Sequence, residues 1–340
     1  MKEVSRMKIK DIAKELHLSV STVSKALNGA FDVSKETKQL VIAYAKTHGY
    51  KSRDERLTVK TLRRLCFIYD NVNATSQSNI IFPLGLSFSN YARKHNFEVV
   101  QTPIKNITTT YNDFMKLNNF DGAFIAGLNY KSKILPELKN TTYPTILYDN
   151  VMLGDMIATI HNENINTVAR LVEHLKENNH SKIGFIHGDR NSFVSNERFA
   201  GYIIGQVMNH MEYKPEYVYY GSFEEESGFE AAAYFAKTDV TAIVCASDLI
   251  AIGLIRGFES LGIQVPTDIS VTGYDDLEIS KYIKPALTTI KQDLDLIGEK
   301  AFMLLTSILM NRSSQRVVIS GEIMYRDSVA PMHPRKKLEI

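Results

Sequence analysis

MKIKDIAKELHLSVSTVSKALNG, residues 7–29, holds two short helical patterns with a break between them. Ile9, Ile12, Ala13 and Leu16 recur at the i, i+3, i+4, i+7 spacing of one helix face. Leu18-Ser19 interrupts that pattern, and Ser19 is a residue type that caps helix N-termini. Behind it, Val23, Ala26 and Leu27 give a helix over 20–27 an inward face. Asn28-Gly29 tolerate the left-handed backbone on which helices end. Ser34 is placed to cap a third helix, with Leu40, Val41, Ala43 and Tyr44 as its apolar face and a stop near His48-Gly49-Tyr50.

Helix, tight break, helix is the arrangement of a helix-turn-helix, whose second helix enters the DNA major groove by its N-terminal residues. Charge supports that reading. Residues 1–65 carry 15 Lys and Arg against 7 Asp and Glu, whereas the rest of the chain carries 25 against 31. A basic head on an acidic body predicts an anionic polymer as the partner of the head alone. The candidate DNA contacts are Ser19, Val20, Ser21, Thr22, Ser24, Lys25 and Asn28. Val20 suits a thymine methyl, Ser21 and Lys25 suit base edges, and Thr22 and Ser24 suit phosphate oxygens. The plainer alternative is a surface helix with ordinary caps.

Residues 51–64, KSRDERLTVKTLRR, lack both a core's apolar content and a flexible linker's Gly and Ser. From Leu65 the pattern changes. Strand-like apolar runs fall at 65–69, 97–100, 121–126, 144–148, 182–187, 241–246 and 268–273, with amphipathic helices at 82–95, 163–178, 197–211, 248–260 and 293–311. That alternation predicts an α/β body of parallel sheets covered by helices, in one large sheet or two smaller lobes. At 340 residues the chain has room for two or three domains, and 44% hydrophobic with 23% charged residues excludes global disorder. No apolar run is long enough to span a bilayer, and no apolar stretch follows the basic N-terminus as it would in a secretory signal. Cys66 and Cys245 sit in apolar runs, which fits buried thiols in a reduced, cytoplasmic setting.

In an open parallel sheet, ligands bind beyond the carboxyl ends of the strands. Asp149, Ser247-Asp248 and Asp275-Asp276 each follow an apolar run directly, and Arg198 opens the helix after 182–187. Carboxylates and a guanidinium form paired, charge-assisted hydrogen bonds with adjacent sugar hydroxyls, and Phe223 can stack on a ring's apolar face. Asp248 and Asp276 read more simply as caps of the helices that follow them. Catalysis is poorly supported. The chain has no G-x-S-x-G, no phosphate-cradling loop and no H-E-x-x-H, and a glycoside hydrolase would need two carboxylates at a separation that sequence does not give. His161, His174, His180, His187 and His210 lack metal-ligand spacing, and no Gly fingerprint follows 65–69, so neither a metal nor a nicotinamide cofactor is expected.

Residues 7–50 resemble the DNA-binding head of the lactose/galactose-repressor (LacI/GalR) family almost residue for residue. The likeness continues through EHLKENNHSKIGFIHGD, SNERFAGY, GSFEEESGFEAA, TAIVCASDLIAIG and VPTDISVTGYDDLEISKYIKPALTTIKQ. The resemblance implies an N-terminal all-α head and a two-lobed, periplasmic-binding-protein-like (type I) body. The head would span 7–50, a hinge 51–64, and the effector-binding and dimerisation domain 65–331. Its N-lobe would take about 65–160 and 291–320, and its C-lobe about 161–290 and 321–331. Asp149, Arg198, Phe223, Ser247 and Asp275 match the family's effector contacts, with Ser247 in place of the commoner asparagine. The loop around Asn79-Ile80-Ile81-Phe82 falls in the matching N-lobe wall, with Asn79 and Phe82 as its candidate contacts. In the family a hinge helix wedges a leucine into the minor groove. Here Val59 takes that place, with Leu57 nearby, and the usual Pro-Asn and Ala-Arg are replaced by Ser52-Arg53 and Glu55-Arg56.

The function implied is a repressor of a carbohydrate-utilisation operon, released from double-stranded operator DNA by a sugar such as a galactoside. Alternatives are a co-repressor-dependent or phosphocarrier-dependent regulator of the same family, or a cytoplasmic sugar-binding protein without DNA function. One head of about 50 residues makes few contacts, so a homodimer is expected. Only MHPRKKLEI follows Pro331, too short for the heptads of a tetramerising helix.

Overall fold

Arg63–Tyr69 (β1), RRLCFIY, sends alternate side chains to opposite faces of a sheet, and both faces are covered. The computed structural model describes residues 9–27, 33–48, 50, 63–70, 80–152, 154–311 and 314–332. The chain divides into two compact units, residues 1–63 and 64–340.

In the first unit, Ile9–Glu15 (α1), Val20–Leu27 (α2) and Lys35–Thr47 (α3) enclose a small core of Ile12, Ala13, Val23, Ala26, Val41 and Ala45. His17, at φ 54°, makes the left-handed step that ends α1, and the Leu18 amide donates back to the Ala13 carbonyl at 2.9 Å. Ser19 Oγ accepts from the Thr22 amide at 2.9 Å and Ser34 Oγ from the Thr37 amide at 3.2 Å, so both serines cap as their positions suggested. The inward face of α3 differs from expectation. Val41, Tyr44 and Ala45 pack inward, whereas Leu40 and Ala43 are exposed, because the helical period rotates them off the Val41 stripe.

In the second unit, a six-stranded sheet has the order β11-β5-β4-β3-β1-β2, formed by Arg316–Ile319 (β11), Ile157–Asn162 (β5), Thr145–Tyr148 (β4), Gly122–Ala126 (β3), β1 and Phe97–Pro103 (β2). The pairs β1·β3, β3·β4, β4·β5 and β5·β11 are parallel. Leu65 and Phe67 of β1 lie in the core shared with Ile81–Lys94 (α4) and Leu294–Asn311 (α11). Cys66 and Ile68 face the opposite core, built on Tyr111–Leu117 (α5) and Ile134–Leu138 (α6).

A second sheet has the order β7-β6-β8-β9, from Val218–Tyr220 (β7), Ile183–His187 (β6), Ala242–Cys245 (β8) and Ser270–Thr272 (β9), all parallel. Its helices pack in two pairs, Asn164–Glu177 (α7) with Phe193–Met208 (α8), and Glu225–Phe235 (α9) with Asp248–Ser260 (α10). Gly228 and Gly253 let α9 and α10 meet backbone to backbone, since a Cβ at either would collide with a carbonyl of the other helix. Thr289–Lys291 (β10) and Glu322–Met324 (β12) form a small antiparallel pair. The chain passes between the two sheets three times, at 162–164, 291–294 and 319–322. Two sheets, not one, are therefore built from the strand runs of the sequence. Among the described residues no helix is long and apolar enough to cross a membrane.

Candidate functional site

In the head, the α2 residues named from sequence divide by burial. Val23 and Ala26 are in the core, Thr22 and Ser24 are half-buried, and Ser19, Val20, Ser21 and Lys25 are exposed, Val20 by 44%. Val20 is the first residue of α2, directly after the Ser19 cap. Asn28, Leu57 and Val59 lie outside the described residues, as does the rest of the expected hinge up to residue 62.

In the body, a cavity of about 240 Å³ opens where the carboxyl ends of strands from both sheets face one another. Asp70 follows β1, Asn129 follows β3, Asp149 and Asn150 follow β4, Asp189 follows β6, Phe223 and Glu224 follow β7, Ser247 follows β8 and Asp275 follows β9. Five of the seven residues named from sequence, Asp149, Arg198, Phe223, Ser247 and Asp275, line this one cavity. Asn79 lies outside the described residues. Phe82 corrects the expectation: it is 59% exposed, and the preceding Ile80 and Ile81 line the cavity instead. Phe82 sits in the first turn of α4, where a step of one residue turns a side chain by about 100° away from the cleft.

Arg198, on the second turn of α8, is 2% exposed. Its Nη1 donates to the Ala246 carbonyl at 2.6 Å and lies 3.6 Å from Asp275 Oδ1, and its Nε donates to Asn164 Oδ1 at 3.2 Å. The guanidinium is stacked 3.6 Å from the centroid of the Tyr274 ring. With that many fixed contacts the side chain is rigid before any ligand arrives, and Nη2 is left with no partner among the described residues. Burial raises the carboxyls of Asp149 and Asp275 to about 7, against the opposing pull of Arg198. Both sit on strained backbone, Asp149 at φ 53° and Asp275 at φ 122°, a region L side chains rarely adopt. The Asp275 amide is pinned by the Ile290 carbonyl at 2.8 Å, and Asp149 Oδ1 accepts from the Asn162 amide at 3.3 Å.

A hydrogen-bonded chain links the two carboxylates. Gln292, in one of the crossings, donates through Nε2 to Asp275 Oδ1 and accepts from the Tyr148 hydroxyl and from Asn162 Nδ2. Phe223 packs against the strand end at Gly188, where a Cβ would come within 2.6 Å of the ring. Ser247 also caps α10, its Oγ accepting from the Ile250 amide at 3.4 Å.

That cap was expected at Asp248, and the structure corrects it. Asp248 is the first residue of α10 and is fully buried, accepting from the Leu277 amide at 2.8 Å and from the Ser280 and Thr289 hydroxyls. It ties the loop behind Asp275 to β10. Asp276 caps no helix either; it pairs with Arg326. Both therefore hold the scaffold, through tertiary partners. Asp70, Asn129, Asp189, Ser192 and Glu224 also line the cavity and went unnamed in the sequence, although four of them follow strands. His161, His180 and His187 are buried, burial lowering His161 to about 4, while His210 is exposed. Among the described residues no three metal-ligating side chains cluster. Burial raises the thiol of Cys66 to about 12.

Comparison with known proteins matches residues 8–52 to the model described as "Bacterial regulatory proteins, lacI family" and residues 172–329 to the "Periplasmic binding protein-like domain". The HTH-type transcriptional repressor PurR of Pectobacterium carotovorum subsp. carotovorum is 30% identical over 332 residues, covering 95% of this chain and 96% of the relative. Among solved structures, a transcriptional regulator CelR–cellobiose complex superposes with a TM-score of 0.72 at 22% identity, over 95% of this chain and 100% of that one. A lac repressor dimer bound to operator and the anti-inducer ONPF does so with 0.68 at 22% identity, over 96% and 100%. The two structures speak for the fold, and the head match together with the full-length repressor relative speaks for lineage: this chain belongs to the LacI family of DNA-binding bacterial transcriptional repressors.

Proposed function

We propose that this protein represses carbohydrate-utilisation genes in the cytoplasm and leaves its operator when a small sugar occupies the cleft. The observation that carries the reading is the buried, pre-fixed Arg198 with Asp149 and Asp275 around one cavity that Phe223 also lines. Two carboxylates and a guanidinium supply paired hydrogen bonds for vicinal hydroxyls, and the aromatic wall suits a sugar's apolar face. At about 240 Å³ the cavity is smaller than the roughly 300–1,000 Å³ of drug-sized sites, which suits a compact ligand. No part of this arrangement calls for a reaction: a rigid polar shell that only binds is the economical use of it.

In this reading α2 enters the major groove, Val20, Ser21 and Lys25 reading bases and Thr22 and Ser24 engaging phosphates. Two copies act together, as in the dimeric lac repressor on operator, with domains divided as 7–50, 51–64 and 65–331, except that the last two residues of that hinge, Arg63 and Arg64, already form the start of β1. A ligand that favours the closed lobes changes the separation at which two heads reach their half-sites, and about 1.4 kcal/mol of such coupling is already tenfold in operator affinity. The test is a gel-shift titration of purified protein on its operator with a sugar panel headed by galactosides. Release by one sugar is expected. Operator affinity indifferent to every sugar overturns the reading, and binding that requires the ligand reverses its sign to that of a co-repressor.

A further inference from the structure

We propose that the cleft excludes anionic ligands, so that its occupant is uncharged or carries a protonated amine, and that Asp70 is a residue that enforces the choice. This rests on the ligand-responsive reading above and narrows its chemistry. Among the described residues, the cavity is lined by five carboxylates, those of Asp70, Asp149, Asp189, Glu224 and Asp275, and by one cation, Arg198. The charge of Arg198 faces Asp275 at 3.6 Å and the nearby Asp149, which answer it as they shed the protons they hold up to about 7, and Asp70, Asp189 and Glu224 bring three further carboxylates to the same cavity. Its open Nη2 therefore offers the ligand a hydrogen-bond donor without offering it a net positive field.

Asp70 stands on the other lobe, at the end of β1, half-buried. Its carboxylate accepts from the Ser132 hydroxyl at 3.4 Å, and burial raises its proton affinity. Lys105, Lys131 and Lys133 line a neighbouring groove that Asp70 also borders, yet among the described residues no cation forms an ion pair with it. Residues 71–79, NVNATSQSN, lie outside the described residues and contain no Lys, Arg or His to supply one. A sugar phosphate would bring a further charge of about −1.5 to −2 into a cleft whose lining already repels it. A hydroxyl donates to the same carboxylates without that penalty, and an ammonium finds its counter-charge there.

The experiment is calorimetry and thermal shift on the full chain with three panels. One holds glucose, galactose, ribose and cellobiose, one glucosamine and galactosamine, and one the phosphorylated or acid counterpart of each, glucose 6-phosphate and galacturonate among them. Binding by a member of the first two panels is expected, with its phosphorylated or acid counterpart at least tenfold weaker. In Asp70→Asn, or in Asp70→Ser should the first fail to fold, that gap narrows severalfold. An anionic sugar bound as tightly as its neutral counterpart overturns the exclusion while leaving a sugar-responsive repressor standing. A gap unchanged in both folded variants overturns the part given to Asp70. Silence across all three panels overturns the sugar reading and this inference together.

Discussion

Arg198 is the residue on which the cleft turns. Removing it takes away the donors to Ala246 and Asn164 and strips Asp275 of its ion-pair partner, leaving two buried carboxyls without a cation. Arg198→Ala is expected to weaken ligand binding by a factor of about 100 or more while operator affinity stays within a few fold. Calorimetry and gel shift on the same preparation separate the two, and loss of operator binding in a folded variant would contradict the division of labour. Asp149 and Asp275 add a pH signature. Their folded carboxyls hold protons to about 7, above the ordinary value of 3.8, so the folded state binds more protons than the unfolded one between those limits. Their contribution to stability is thus fully present below about pH 4 and is lost as pH rises through 7. Asp275→Asn should accordingly gain thermal stability relative to the parent as pH is raised from 5 to 8, in the absence of ligand. Parallel melting curves of parent and variant across that range would refute it.

At the scale of elements, α2 and the α9·α10 pair make separate demands. The Ser19 hydroxyl caps α2 at the end proposed to face DNA, so Ser19→Ala should cost the head about 1 kcal/mol and weaken operator binding with the cleft intact. Lys25→Ala should weaken operator binding by about 1–3 kcal/mol and relax specificity at the base it reads, measured by gel shift on the operator and on its single-base variants. An unchanged affinity would mean that α2 is not the reading helix. In the body, Gly228→Val forces a branched side chain into the Ile250 carbonyl of the facing helix. A loss of about 3 kcal/mol is expected, seen as a lowered denaturation midpoint.

For the whole molecule, the division into a basic head and an acidic body assigns DNA to one and a small ligand to the other. Specific binding by such small heads calls for two of them, so sedimentation velocity should show a dimer; a stable tetramer or a monomer at micromolar concentration would contradict that. The sequence alone determined the three head helices, because capping serines and i, i+3, i+4 spacing are local signals. It also determined five of the cleft residues, because each follows a continuous apolar strand or belongs to a motif such as SNERFAGY. Only the tertiary structure decided the rest. β5, IATIHN, carries no continuous strand signal because Thr159 and His161 break its apolar run, yet burial on both faces is what a central parallel strand receives whatever its side chains. The capping duty fell to Ser247 and not Asp248, since Asp248 finds three partners distant in sequence, at 277, 280 and 289. Asp70 and Asp189 joined the cleft, and Phe82 left it, because which side of a strand end or helix turn faces the opposing lobe depends on how two sheets are set against each other. Periodicity along a chain carries the hand of each element; the meeting of elements remote in sequence is fixed by packing alone.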